Sequence, residues 1–157
     1  MPVANVVRKI GQESTPYWFL NGLYDIRVSA DETDGALTVM EMTVPEGSGP
    51  PPHHHDVAET VYVLDGRARF TIDGDTVEAG PGSVFHFTAG TKEFFEAVGG
   101  PVRVLVHYSP GGIDRFFAEL GEPATRRELP TPSNTPPDVE RLAAAGARYG
   151  LHIEPPS

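Results

Sequence analysis

The amino-acid sequence predicts an all-β domain, an antiparallel barrel or jelly roll followed by short C-terminal helices. Three observations carry that expectation. Apolar-alternating runs recur at the roughly 8–12-residue spacing of all-β folds, each bounded by turn residues. Seventeen glycines and sixteen prolines are spread along the chain, as many short strands joined by tight turns require. No strand–helix–strand unit, Walker-type glycine loop or serine elbow occurs, so a nucleotide-binding α/β fold is excluded.

The elements follow in order. Residues 1–22 read as an N-terminal arm, polar up to residue 16. Its end, Tyr17-Trp18-Phe19-Leu20, is too apolar for water and is expected to pack on the barrel or on a second subunit. The barrel is assigned to residues 23–109. Residues 23–29 alternate weakly and 31–35 carry turn chemistry. Residues 36–44 form a clear strand, with Leu37 and Val39 on one parity and Met40, Met42 and Val44 on the other, stopped by Pro45. Strands are expected at 59–64, 67–72, 76–78, 83–88, 93–98 and 102–109. Asp65-Gly66 and Asp73-Gly74 suit two-residue hairpin turns. Residues 110–157 change regime and read as a helical, proline-rich clasp. Asp114 is expected to cap a short helix with Phe116, Phe117 and Leu120 on one side, and residues 138–149 form a second helix ending at Gly150.

Composition narrows the functional classes. A chain of 157 residues is one domain's worth and shows no internal repeat. It has no cysteine, which excludes disulfides, thiolate ligands and thiol nucleophiles. A formal net charge of -10 disfavours nucleic acid and anionic membranes as partners. No apolar run reaches signal-peptide or membrane-span length, so the expectation is a cytoplasmic protein.

The chemistry concentrates at Pro50-Pro51-Pro52-His53-His54-His55-Asp56-Val57-Ala58-Glu59. In extended backbone, residues i and i+2 share a face, so His53 and His55 can reach one point while His54 faces away. Glu59 opens the next strand. Two imidazoles and a carboxylate are the ligand set of open, catalytic transition-metal sites rather than of closed structural ones. A histidine run in a surface loop is the bland alternative.

The spacing Gly47, His53, His55, Glu59, Gly66 resembles the first signature of the cupin superfamily at every position. Gly82, Thr88, Gly90, Glu93 and Ala97 are similar to the second, with both glycines in register. Threonine replaces the proline there, alanine the asparagine, and Glu93 the metal-binding histidine. With its flanks, nearly the whole chain resembles bacterial single-domain cupins of the quercetin-dioxygenase-like kind. The resemblance implies a cupin-type jelly-roll barrel holding one divalent transition ion (Fe, Mn, Ni or Zn) through His53, His55, Glu59 and, in the place of a third histidine, Glu93. Glu93 is open to three readings: a fourth ligand, a general acid or base off the metal, or a solvated residue at the rim. Its register predicts a carboxylate pointing into the cavity, whereas Lys92 faces out. His86 and His107 read as core histidines, either of which could replace the lost ligand.

The resemblance further implies dioxygenase-like chemistry on an aromatic, flavonol-like or enolisable small molecule. The substrate hydroxyl would bind the metal as an anion, with Glu59 taking its proton before dioxygen attacks, and Glu93 would be the second catalytic carboxylate. Metal-assisted cyclisation or isomerisation of a polyketide-like compound is the near alternative, and a non-enzymatic small-molecule-binding module the distant one. A homodimer is expected, from the Tyr17–Leu20 patch and from the habit of the resembling family.

Overall fold

The structure is a computed structural model of the chain and describes residues 4–9 and 14–154. Much of the arm expected at residues 1–22, and the last three residues of the clasp, lie outside the described residues. Twelve strands are present among the described residues: β1 Pro16–Phe19, β2 Gly22–Val28, β3 Thr38–Val44, β4 His53–His55, β5 Ala58–Asp65, β6 Ala68–Ile72, β7 Asp75–Ala79, β8 Val84–Phe87, β9 Glu93–Ala97, β10 Val102–Ser109, β11 Glu122–Pro123 and β12 Leu151–Ile153. Two helices, α1 Asp114–Leu120 and α2 Val139–Arg148, flank β11.

The strands form two sheets, ordered β11-β1-β2-β3-β10-β5-β8 and β12-β4-β9-β6-β7. Every ladder between named strands is antiparallel. This is the jelly-roll architecture that short alternating strands predict. Inward residues of both sheets interdigitate: Met40, Val44, Val61, Val63, Phe70, Val102, Val104 and Val106 are all fully buried. The alternation on β10 is complete, Val102, Val104, Val106 and Tyr108 pointing in and the residues between them out. On β3, Met40, Met42 and Val44 are buried while Val39 is half-covered on the other face.

Two glycines are required where backbones meet. A Cβ at Gly49 would lie 2.1 Å from the Phe95 carbonyl oxygen, so only glycine lets the proline-rich loop cross β9 this closely. Gly66 has φ +78 and would place a Cβ 2.3 Å from the Pro101 carbonyl, which makes it the turn residue the Asp-Gly hairpin expects.

The stretch Tyr17-Trp18-Phe19-Leu20 packs on its own barrel. Phe19 meets Tyr24, Phe116 and Phe117 edge-on, and Trp18 donates its indole N–H to the Glu128 carbonyl at 2.8 Å. The cap of α1 differs from expectation. Its N-cap residue is Ile113, without a side-chain cap, and Asp114 lies inside the first turn. The Asp114 carboxylate instead accepts from the Thr38 hydroxyl and the Ala30 backbone N–H, two otherwise buried donors. Satisfying them outweighs capping a seven-residue helix. α2 does have its expected cap, with Asp138 accepting from the Arg141 N–H. β12 is not among the expected strands. It follows Gly150 and pairs with β4, His55 opposite Leu151 and His53 opposite Ile153. Among the described residues no helix is long and apolar enough to cross a membrane.

Candidate metal centre

β4 is three residues long, and its burial alternates as the extended geometry demands: His53 and His55 are buried and His54 is not. β9 brings Glu93 opposite His53 in the same sheet. After His55 the chain crosses to the other sheet, where β5 places Glu59 between Phe87 and Tyr108. The four side chains converge from both sheets, their nearest ligand atoms all within 4.8 Å of one another. Each is no more than 7% exposed.

The hydrogen-bond pattern fixes which atoms face the centre. Nδ1 of His53 lies 2.8 Å from the Pro51 carbonyl, which can only accept. Nδ1 therefore carries the hydrogen and the Nε2 lone pair turns inward, the orientation second-shell carbonyls impose on metal-binding imidazoles. His53 Nε2 stands 3.2 Å from Glu93 Oε1, and His55 Nε2 stands 3.2 Å from Glu59 Oε2. The second contact is close without hydrogen-bond geometry: His55 Nε2 and Glu59 Oε2 are both buried without a hydrogen-bond partner. Two such atoms left facing each other are costly unless a cation lies between them. Donor atoms bonded at about 2.1 Å to one ion stand about 3–3.5 Å apart, which the two 3.2 Å separations match. The set fits a divalent transition ion.

Electrostatics of the metal-free cluster point the same way. Burial lowers the His55 pKa to about 3, helped by the nearby charge of His53, so this imidazole offers a lone pair. Burial also acts to lower His53, but the hydrogen bond and charge of Glu93 outweigh it and the net shift is upward. Burial raises Glu93 to about 7, reinforced by the charge of Glu59 and opposed by His53. Glu59 is likewise raised by burial. Protons shared among these four groups are what a metal would displace.

Of the three readings of Glu93, the solvated rim is overturned: the residue is 3% exposed and faces the cluster. Lys92 points out, its side chain 57% exposed. Neither His86 nor His107 replaces the missing histidine. His86 is on the outer face of β8, its Nδ1 2.9 Å from the Thr60 hydroxyl, and His107 has the outward parity of β10. That parity is readable from Val102, Val104 and Val106, which alternate away from His107.

The cluster opens into a cavity of about 60 Å³. Its walls include Tyr24, Met42, Phe95 and Tyr108 from the barrel, and Phe116, Phe117, Leu142 and Leu151 from the clasp. Phe19, Pro50, Pro51 and Ile153 also border an outer cleft of about 1500 Å³. The C-terminal helices, β12 and the proline loop thus stand between this cluster and solvent. Sequence reasoning misses Tyr24 and Tyr108, although Tyr108 continues the inward alternation of β10.

Residues 40–108 match the family model described as Cupin domain. Over 102 residues, 64% of the chain, the sequence is 28% identical to quercetin 2,3-dioxygenase of Bacillus subtilis and covers 30% of that protein. The chain therefore spans under a third of that relative's length. An RmlC-like cupin from Shewanella frigidimarina superposes with a TM-score of 0.60 at 14% identity, covering 68% of this chain and 93% of that one. The polyketide cyclase RemF from Streptomyces resistomycificus superposes with a TM-score of 0.56 at 21% identity, covering 68% of this chain and 79% of its own. At these identities the two structures speak for the fold alone. The barrel and the intact first signature agree with the match of residues 40–108 to the cupin domain.

Proposed function

We propose that the protein is a metal-dependent cupin enzyme with dioxygenase-like activity on an aromatic or enolisable small molecule. The observation that carries this reading is the buried, unbonded pair His55 Nε2 and Glu59 Oε2 within a four-residue cluster at the base of an apolar cavity. His53, His55, Glu59 and Glu93 would hold one divalent ion, which would supply Lewis-acid activation of a substrate hydroxyl. Glu59 takes the hydroxyl proton on the carboxylate oxygen that does not hold the ion. Glu93 is the second buried carboxylate at the cluster, 3.2 Å from His53 Nε2. The phenylalanine-rich walls exclude water and strengthen both interactions. The similarity to the Bacillus quercetin dioxygenase supports the substrate class.

A second reading, cyclisation or isomerisation without dioxygen, is favoured by one feature of this chain. A second carboxylate in place of the third histidine leaves a divalent ion formally neutral, hence a weaker Lewis acid. It also supplies a second buried carboxylate that can serve as an acid–base group where it stays off the metal. A cavity of about 60 Å³ holds only the reacting end of a multi-ring compound unless the clasp moves. A small substrate, or one whose remainder lies in the outer cleft, fits best. The same proposal takes the protein as a cytoplasmic homodimer, with the half-covered Trp18 and Leu20 contributing to the contact. A monomer by light scattering at high micromolar concentration would overturn that assembly.

Metal analysis of protein purified without a histidine tag, followed by oxygen uptake with a flavonol, tests the reading. Turnover requiring both metal and oxygen is expected. Metal-dependent turnover of a polyketide-like substrate without oxygen uptake would establish the second reading. Tight ligand binding with no turnover would reduce the protein to a binding module.

A further inference from the structure

Two phenols line the cavity beside the cluster. Tyr24 is 4% and Tyr108 2% exposed, and both line the cavity that His53, His55, Glu59 and Glu93 close at its base. Their rings are well anchored: Tyr24 stacks on Phe117 at 5.0 Å, and Tyr108 lies 5.1 Å from the His55 ring, facing Glu59 across the β5–β10 ladder. Their hydroxyls are not. Among the described residues, neither hydroxyl has a hydrogen-bond partner in the protein. Buried tyrosines ordinarily find one, and phenylalanine would fill the same space without the desolvation cost of the oxygen. Two unpaired phenols on one small cavity therefore mark a place where a ligand supplies the acceptor.

We infer that the Tyr24 and Tyr108 hydroxyls donate hydrogen bonds to an oxygen of the substrate, and that the substrate is an enol or hydroxyketone whose hydroxyl side meets the His53–His55–Glu59–Glu93 cluster. The inference rests on the metal reading above and adds two donors on the cavity wall beside the cluster. A phenol with its ordinary pKa of about 10 is protonated at neutral pH and can donate. A fixed donor pair in an apolar cavity stabilises negative charge as it develops on a carbonyl oxygen, the arrangement of an oxyanion hole. Tyr108 neighbours Glu59 across the β5–β10 ladder, so a donor and a base lie side by side on the cavity. A ligand with an acidic hydroxyl and a neighbouring acceptor oxygen satisfies both the bases and the phenols, whereas a hydrocarbon or a ligand with only donors leaves the phenols unpaired.

The test compares two probes of similar size on the metal-replete protein: acetohydroxamate, an anionic hydroxyl–carbonyl pair, and imidazole, a metal ligand without oxygen. Affinities are measured by calorimetry for wild type, Tyr24→Phe, Tyr108→Phe and the double variant, with metal content and Tm recorded for each. Each Phe variant is expected to weaken acetohydroxamate roughly ten- to a hundredfold, the loss of a hydrogen bond to a charged acceptor. Imidazole should change less than about twofold on the same scale, with metal content and Tm held. If both probes weaken together, if neither changes, or if wild type fails to bind acetohydroxamate, the phenols are packing residues and the inference is wrong. Loss of metal from the Phe variants would instead make them supports of the cluster and also overturn it. A wild type that neither carries nor takes up metal brings down the metal reading itself, an outcome the metal measurement separates from the others.

Discussion

β4 presents histidines on two faces, and the two faces behave differently. On the outer face, His54 meets Glu154 at 2.8 Å and stacks on His152, which in turn meets Asp56 at 2.9 Å. Every histidine there has a carboxylate in hydrogen-bond geometry, and the cluster is partly solvated. On the inner face, His55 Nε2 and Glu59 Oε2 stand 3.2 Å apart yet unbonded, both atoms enclosed. The residue types are the same on both sides. What differs is whether the polar atoms satisfy one another, and the unsatisfied face is the one that can hold a cation.

The strongest test breaks one face at a time. Replacing His53 and His55 together by Ala removes two ligand bonds and is expected to abolish metal uptake. Replacing His54 and His152 by Ala should leave metal content at the wild-type level. Elemental analysis of the two double variants side by side decides the matter, and equal metal content in both would place the site elsewhere.

Next in size is Glu93, the residue that departs from the usual signature. Glu93→Gln keeps the shape but removes an anionic ligand and a shared proton, so metal affinity should fall at least tenfold, about 1.4 kcal/mol or more. Glu93→His should restore affinity and shift metal preference toward softer ions. A Gln variant equal to wild type in metal content and turnover would make Glu93 a bystander despite its burial.

Proton linkage sharpens the same contrast. In the metal-free protein Glu93 is raised to about 7 from 4.5 and Glu59 is raised as well, so the folded chain binds extra protons there and loses stability as pH rises through that window. His53, also raised, acts in the same sense above 6.5. His55 is depressed to about 3, so it adds stability as pH rises from there to 6.5, partly cancelling the carboxylates, and adds nothing further beyond. The net expectation is a shallow fall in Tm from pH 5 to 6.5, where His55 offsets Glu93, and a steeper one from 6.5 through about 7. One whole proton corresponds to about 1.4 kcal/mol per pH unit. Saturating metal should reverse the trend, because its binding releases those protons. A metal-free Tm that rises from pH 6.5 through 7 would contradict the cluster as described.

The inner face is legible in the sequence because its logic is local: a two-residue period in an extended strand sets His53 and His55 together and His54 apart. Glu93 is legible by register, since Gly82 and Gly90 hold the turn that aims it. The outer face is not, because it depends on β12, three residues whose partner lies across the molecule, with His152 and Asp56 96 positions apart. Local periodicity carries no information about such a pairing. Asp114 misleads for a related reason: its choice between capping α1 and satisfying Thr38 is settled 76 residues away. Tyr108 is a different case, since the alternation of Val102, Val104 and Val106 runs directly to it and marks it as inward. What the alternation lacks is any sign that its hydroxyl goes unpaired.

The smallest expected effect belongs to the outer face. Its two pairs are half-solvated, the side chains of His54 and Glu154 being 33% and 26% exposed and those of His152 and Asp56 36% and 62%. Screened pairs of this kind contribute about 0–1 kcal/mol each. Glu154→Gln should therefore lower Tm by no more than a few degrees, taking about 4–8 °C per kcal/mol for a domain near 100 residues and less for a longer one. Yet the strand these pairs fasten is not incidental, since Leu151 of β12 closes the cavity wall and pairs with His55. If the outer pairs only decorate the surface, Glu154→Gln and wild type will take up metal at the same rate. If they hold the wall shut, the variant will exchange its metal with a chelator faster at nearly unchanged Tm. We expect the faster exchange, by about two- to fivefold for up to 1 kcal/mol lost from the closed state. An identical exchange rate would show that Leu142 and Leu151 packing alone keeps the clasp in place.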